Sequence, residues 1–319
     1  MRMAIAVLAA QFACAAAAFA GQPSMATTHA YNEYLQRAEA RMGDDYRPGG
    51  GFISKALLSG PNATAELNAG RVVIRCVAGC SSSGVSIPGG LTHDWIGVVF
   101  VPDASLQQVL SFVQDYDHAA AYYAPDVTKS RLLARSGDSF RVFLQLKQTK
   151  VVTVRFDTDY DVRYVRLDAS RAYSVSHATR IAQLARGSDD RELPPAQNDG
   201  FLWGLDTYWR FEQVSGGVYV ECRAISLSRD IPSGLGWVVA PIIKDIPRKS
   251  LQFTLSATRA GVISKLHPAG PKHAIPEPQL AESLDTRING IPEYQPKGES
   301  TWHSVRFRLK ARPFHEPGC

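Results

Sequence analysis

Apolar and polar residues alternate most clearly in the segment 201–230, on either side of a glycine turn. Two β-prone runs flank Ser215-Gly216-Gly217, a pattern typical of a β-hairpin. Successive side chains of a strand point to opposite faces, so the first run predicts one aromatic and one polar face. The odd positions are Phe201, Trp203, Leu205, Trp209 and Phe211, four of them aromatic, and the even positions include Asp206, Arg210 and Glu212. We therefore predict a sheet whose aromatic face packs against a helix.

The same alternation predicts three further strands upstream, at Ser139–Lys147, Lys150–Leu167 and Arg171–Ala185. One face of the second strand carries Val154, Phe156, Tyr160, Val162 and Tyr164. The apolar face of the third strand carries Tyr173, Val175, His177 and Ile181. Earlier in the chain, Trp95–Val101 is almost wholly apolar, which predicts a buried strand.

Helical periodicity occurs before and after these strands. Apolar residues at i, i+3, i+4 and i+7 from Leu106 predict an amphipathic helix, with Asp103 as its N-cap. A shorter helix is predicted at Tyr31–Met42. The longest is predicted at 247–265, beginning with Pro247. Its inward stripe consists of Leu251, Leu255, Thr258 and Val262.

The order of elements is one strand, one or two helices, about six antiparallel strands and a long C-terminal helix. It predicts an α+β, helix-grip fold, in which a curved antiparallel sheet wraps around that helix. Over about residues 91–262 the chain resembles the START-like (SRPBCC) superfamily. The resemblance is carried by Phe100–Val127, by GFLWGLDTYWRFEQVSGGVYVEC and by IPSGLGWVVAPIIKDIPRKSLQFTL. The segments outside the resemblance are expected to be a small N-terminal extension at 21–90 that packs on the core, and a Pro-rich, partly disordered tail at 263–319.

The resemblance also implies a cavity between the sheet and the C-terminal helix. In this superfamily the cavity holds lipids, sterols, polyketides or other apolar molecules. Some members are carriers, and others are cyclases, dehydratases or oxygenase subunits. No catalytic motif accompanies the resemblance, so fold alone does not decide between these functions. We expect a binding protein for an apolar small molecule or lipid, with no cofactor.

Seven residues are predicted to contact that ligand. Trp203, Trp209 and Trp237 would line the cavity, although ordinary core packing would place the same residues there. The polar contacts would come from Tyr160, Tyr164, Tyr173 and His177. An alternative function is a cofactor-free cyclase or dehydratase with His177 as general base. The other reading of His177 is a histidine satisfied by a buried partner, or turned outward by a shifted register. A third possibility is a non-catalytic interaction module of the cell envelope.

Charged residues on the polar faces suggest ion pairs rather than a metal site. Asp157, Asp159 and Asp161 share one face, but their alternation with arginines favours a solvated ladder of cross-strand ion pairs. A similar cluster is predicted for Arg210, Glu221 and Arg223. The net charge of +5 combines 35 basic with 30 acidic residues. This mixed balance does not predict a nucleic-acid partner.

The first 20 residues have the pattern of an export signal. Arg2 precedes an uncharged, alanine-rich run that ends at Ala18-Phe19-Ala20, which predicts cleavage before Gly21. We therefore expect a periplasmic or extracellular protein without a transmembrane span after cleavage. Four cysteines would remain, and they permit three complete pairings: Cys76, Cys80, Cys222 and Cys319. A turn at Gly79 would bring Cys76 and Cys80 together, whereas Cys222 is predicted to be a buried thiol.

Overall fold

The computed structural model describes residues 21–46, 51–80, 84–149, 153–187, 190–230 and 236–268, with the backbone alone over 236–244. Its helices are α1 Met25–Asp45, α2 Lys55–Leu58, α3 Ala63–Asn68, α4 Leu106–Val113, α5 Ala119–Tyr122 and α6 Gly236–Leu266. Its strands are β1 Val73–Ala78, β2 Val85–Ile87, β3 Gly90–Pro102, β4 Val127–Ser136, β5 Ser139–Thr149, β6 Thr153–Arg166, β7 Arg171–Gln183, β8 Gly204–Val214 and β9 Gly217–Arg229.

The nine strands form one antiparallel sheet in the order β1-β3-β9-β8-β7-β6-β5-β4, and β2 pairs with β3. Helix α6 packs against one face, mainly on β3 and β9. The predicted α+β helix-grip fold is therefore confirmed. We call the face that contacts α6 the inner face, and the opposite face the outer face.

The predicted hairpin is β8–β9. Val214 pairs with Gly217, so Ser215 and Gly216 form the two-residue turn. Gly216 has a φ of +82°, in the left-handed region that glycine adopts without strain. The strand begins only at Gly204, however, and Trp203 precedes it.

In the inner core, the apolar stripes of α4 and α6 pack against the sheet. The predicted stripe on α6 is confirmed, since Leu251, Leu255, Thr258 and Val262 are all buried. The helix nevertheless begins 11 residues before the predicted Pro247, and it runs through that proline and Pro241. Helix α4 follows its predicted stripe, but its N-cap is Ser105 in a capping box with Gln108. Asp103 has a φ of +58° instead. The residues beyond 268, including most of the predicted tail, lie outside the described residues.

The outer face is covered by the N-terminal extension. Helix α1 covers one region of it, where Tyr31, Ala38 and Met42 pack with Tyr208 and Ile225. Phe52, Ile53, Leu57 and Leu67 cover the neighbouring region around Val98. Strands β1 and β2 belong to the sheet itself. Both faces of the strands around β3 and β9 are consequently buried.

Gly261 lets α6 approach α4 closely. A Cβ atom added at Gly261 would lie 2.3 Å from Cζ of the Phe112 ring, and Phe112 is buried. We expect Gly261→Ala to destabilise the protein by about 1–3 kcal/mol, since overpacking outweighs the better helix propensity of alanine. Urea denaturation measures this change.

Gly43 provides the matched control for Gly261. It also lies in a helix, but a Cβ atom there would meet nothing within 4 Å. Gly43→Ala is expected to stabilise the protein by up to about 1 kcal/mol. If both variants gained stability equally, close packing at Gly261 would be refuted.

Candidate functional site: the two faces of the sheet

The inner face presents apolar side chains that are not fully covered. Trp209 stacks parallel to Phe211, with ring centroids 6.1 Å apart, but Phe211 is buried and Trp209 is half-buried. Other half-buried apolar side chains pack on the same inner core: Trp95, Leu144, Ala178, Leu205 and Ala224. These residues come from β3, β5, β7, β8 and β9, so half-buried apolar side chains occur on five strands of the inner face.

Two of the predicted tyrosines lie in the inner core. Tyr160 and Tyr164 are both buried, and the Tyr164 hydroxyl is 2.8 Å from that of Tyr116. Burial raises the pKa of all three hydroxyls, so they are neutral at physiological pH. They can therefore exchange hydrogen bonds with a polar group of a ligand, but they do not supply charge.

Three other predicted contacts belong to the outer face, which corrects the predicted arrangement. Tyr173 stacks on Tyr46 with ring centroids 4.2 Å apart. Trp203 packs on the α1 side, and its Nε1 donates to the carbonyl oxygen of Gly21 at 3.1 Å. His177 hydrogen-bonds Asp206 and is half-exposed. The inner face of β7 carries Ala172, Ser174 and Ser176 instead, because the N-terminal extension covers the more apolar alternate face. The side chain of Trp237 lies outside the described residues.

His177 belongs to a pocket between α1 and the strands β7 and β8. The pocket has a volume of about 470 Å³. His177 Nδ1 is 2.8 Å from Asp206 Oδ1, and the Tyr31 hydroxyl donates to Asp206 Oδ2 at 2.6 Å. Glu39 accepts a hydrogen bond from Tyr208 and lies 3.7 Å from His177 Nε2. The hydrogen bond to Asp206 raises the pKa of His177, with smaller effects of Glu39 and Asp161 in the same direction.

This placement separates His177 from the inner face. An imidazole on the outer face cannot remove a proton from a substrate on the inner one. The predicted general base of a cyclase or dehydratase is therefore not in the cavity for which it was proposed.

The predicted charge cluster on β8 and β9 exists, but it is buried rather than solvated. Arg223 pairs with Asp94 through two hydrogen bonds of 2.8 and 2.6 Å. Arg210 lies 3.4 Å from Glu221 and also donates to Asp45 at 2.9 Å. Glu221 accepts the Ser54 N–H at 2.7 Å. The extension thus supplies hydrogen-bond partners to charges that it shields from water, which such burial requires.

The acidic row of β6 forms the predicted ladder. Asp161 faces Arg141 across the strands at 3.5 Å, and Asp159 faces Arg180 at 3.7 Å. Asp157 accepts a hydrogen bond from Gln145. In the part of the chain that the structure describes, no group of three or more histidine, cysteine or acidic side chains is arranged to hold a metal ion.

The cysteines follow the predicted local pairing. Cys76 and Cys80 form a disulfide with a Cα–Cα distance of 5.6 Å, across a turn in which Gly79 has a φ of +72°. Cys222 is a buried free thiol, and Cys319 lies outside the described residues. Among the described helices, none is both long and apolar enough to cross a membrane.

Sequence reasoning missed Tyr31, Tyr34, Glu39 and Asp45, which contact the outer face from α1. The sequence of α1 did carry a signal, because some residues that face the sheet recur at helical intervals: Tyr31, Ala38, Met42 and Asp45. Asp206 was correctly placed on the polar face of β8. Its role was not apparent because that face was expected to contact water.

No protein-family model and no curated protein matches the chain. Among solved structures, it is similar to a STAR-related lipid transfer protein from Xanthomonas axonopodis, with 20% identity, 60% of this chain and 92% of that chain covered, and a TM-score of 0.40. It is also similar to the Zhui aromatase/cyclase from Streptomyces sp. R1128, with 12% identity, coverage of 56% and 98%, and a TM-score of 0.40. A third similar structure is a START superfamily protein from Mycobacterium smegmatis, with 13% identity, 55% of this chain and 98% of that chain covered, and a TM-score of 0.35. These three structures are described as a lipid transfer protein, an aromatase/cyclase and a START superfamily protein, respectively.

Proposed function

We propose that this protein binds an apolar molecule, of lipid type, against the inner face of its sheet. The observation that supports this most directly is the half-buried apolar surface around Trp209. On β8 the polar face is more fully buried than the aromatic face: Asp206, Tyr208 and Arg210 are buried, whereas Leu205 and Trp209 retain solvent exposure. That inversion leaves apolar area available to a ligand.

The ligand would be held mainly by removal of apolar surface from water. This contributes about 25 cal/mol per Å² before the costs of ordering. The neutral hydroxyls of Tyr160 and Tyr164 border the same core and would orient a polar end of the molecule. No described group on this surface supplies a charge to hold an ionic ligand there.

Trp209→Ala is expected to weaken binding of a fluorescent fatty acid by about tenfold or more, because it removes one of the two half-buried tryptophan side chains of the surface. Fluorescence titration of the purified full chain measures the affinity. Native mass spectrometry of the same preparation detects a co-purified apolar molecule.

Trp203→Ala is the matched control, since the same residue type is removed from the outer face. It should leave the affinity for the fatty acid within about twofold of the wild-type value. Equal losses in the two variants, or no binding by the wild-type protein, would contradict the proposed site.

We also propose that the protein is exported and begins at Gly21. The Cys76–Cys80 disulfide supports this, because disulfides persist mainly in oxidising compartments. Intact-mass measurement on a periplasmic fraction tests the proposal. A chain that retained residues 1–20 in the cytoplasm would overturn it.

A further inference from the structure

We propose that the pocket between α1 and strands β7 and β8 is a second ligand site, selective for a small organic cation with an amine or guanidinium group. It lies on the outer face, so it is separate from the surface proposed for the apolar ligand. Its volume of about 470 Å³ is within the range of small-molecule sites.

The charges of the lining favour a cation. Two carboxylates, those of Glu39 and Asp206, line the pocket together with the imidazole of His177, and the lining contains no lysine or arginine. The site therefore carries two negative charges when His177 is neutral, and one when it is protonated. An anionic ligand would be repelled in either state.

The two carboxylates differ in their capacity to accept a further hydrogen bond. Asp206 is buried, and both of its oxygens are occupied, one by His177 and the other by Tyr31. Glu39 is 40% exposed. Its Oε1 accepts from Tyr208, whereas Oε2 has no hydrogen-bond donor among the described residues. Glu39 is thus positioned to receive a charge-assisted hydrogen bond from a ligand.

The remaining lining suits the body of such a molecule. Leu35, Trp203 and Leu227 supply apolar surface, and Asn32 and Gln36 supply polar groups near the rim. The aromatic ring of Trp203 in the lining also favours a cation, because the ring face carries negative charge density. The expected ligand therefore combines one cationic group with an apolar body of modest size.

Protonation of His177 would compete with this ligand. Its ring faces Asp206 and Tyr208 from β8, Glu39 and Tyr31 from α1, and Asp161 from β6. A positive imidazole compensates one of the two carboxylates. Affinity for the cation should therefore rise with pH as His177 loses its proton.

The test is calorimetric titration of the full chain in phosphate buffer at pH 8, with three probes of similar shape: phenethylammonium, 2-phenylethanol and 3-phenylpropanoate. We expect the cation to bind at least about tenfold more tightly than the alcohol, and the anion not to bind. Affinity for the cation should fall by at least about threefold at pH 5.5, through charge compensation. Equal binding of cation and alcohol, no binding of the cation, or an affinity that does not fall at pH 5.5 would overturn the proposal.

Glu39→Gln should reduce the affinity for the cation by about tenfold, while its amide oxygen still accepts from Tyr208 and preserves the fold. Glu33→Gln is the control, since Glu33 lies on the same helix but does not line the pocket. Trp209→Ala should also leave cation binding unchanged, because it alters the inner face. An undiminished affinity in a folded Glu39→Gln variant would refute the assignment.

Discussion

Arg223→Met is expected to lower the free energy of unfolding by about 3–5 kcal/mol. Arg223 and Asp94 form a buried pair with two hydrogen bonds, and their side chains are 8% and 0% exposed. Methionine fills most of the space but removes the charge, so the Asp94 carboxylate remains buried with the Tyr34 hydroxyl as its other donor. Urea denaturation at pH 7 gives the change.

Two further variants separate the effect of the uncompensated buried charge on stability from the effect of lost packing. Asp94→Asn combined with Arg223→Met should recover a large part of the lost stability, because a neutral amide replaces the uncompensated carboxylate. Arg141→Met removes an exposed pair with Asp161, and it should cost no more than about 1 kcal/mol. A double variant no more stable than Arg223→Met would show that packing, not charge, determines the cost.

The stability of the protein should decrease by about 3 kcal/mol between pH 4.5 and 7 because of Glu221. Burial raises the pKa of this carboxyl from 4.5 to about 7, while Arg210 and the Ser54 N–H oppose the shift. Over this interval the native state retains a proton that the unfolded chain has released. The contribution of Glu221 to stability is therefore full below pH 4.5 and is lost as pH rises through 7.

Glu221→Gln removes this dependence while keeping an acceptor for the Ser54 N–H. The measurement is the difference in unfolding free energy between wild type and Glu221→Gln at a series of pH values. Other titrating groups, including His177, are present in both proteins and largely cancel. A difference that stays constant from pH 4.5 to 8 would show that the Glu221 pKa is not raised.

The sequence was sufficient to predict the sheet, the β8–β9 hairpin and the stripe of α6. Each depends on a local signal: alternation for strands, Ser215-Gly216-Gly217 for the turn, and i, i+4 recurrence for the helix. The start of α6 was not predictable in this way. Pro247 is favoured at the beginning of a helix, and nothing local indicated that the backbone would remain helical through it.

The candidate site was predicted only in part, for two physical reasons. Alternation assigns residues to two faces, but it does not say what covers each face. On β7, the face that carries Tyr173 and His177 is the more apolar one. The N-terminal extension, which is distant in sequence, covers this face, so the face points away from α6. Trp203 was assigned to the wrong face for a different reason: the alternation of strand residues was extended into the irregular chain before Gly204. Tyr160 and Tyr164 were assigned to the inner face correctly because β6 has only one apolar face.

The burial of both faces of the central strands has an evolutionary consequence. Every position of β3 and β9 is buried or half-buried, whereas most of β4 is exposed. Substitutions should therefore be tolerated more readily on β4 than on β3 and β9, where a new side chain must also fit the extension or α6. A recombination event that exchanged the extension or the central strands alone would therefore join surfaces that do not fit.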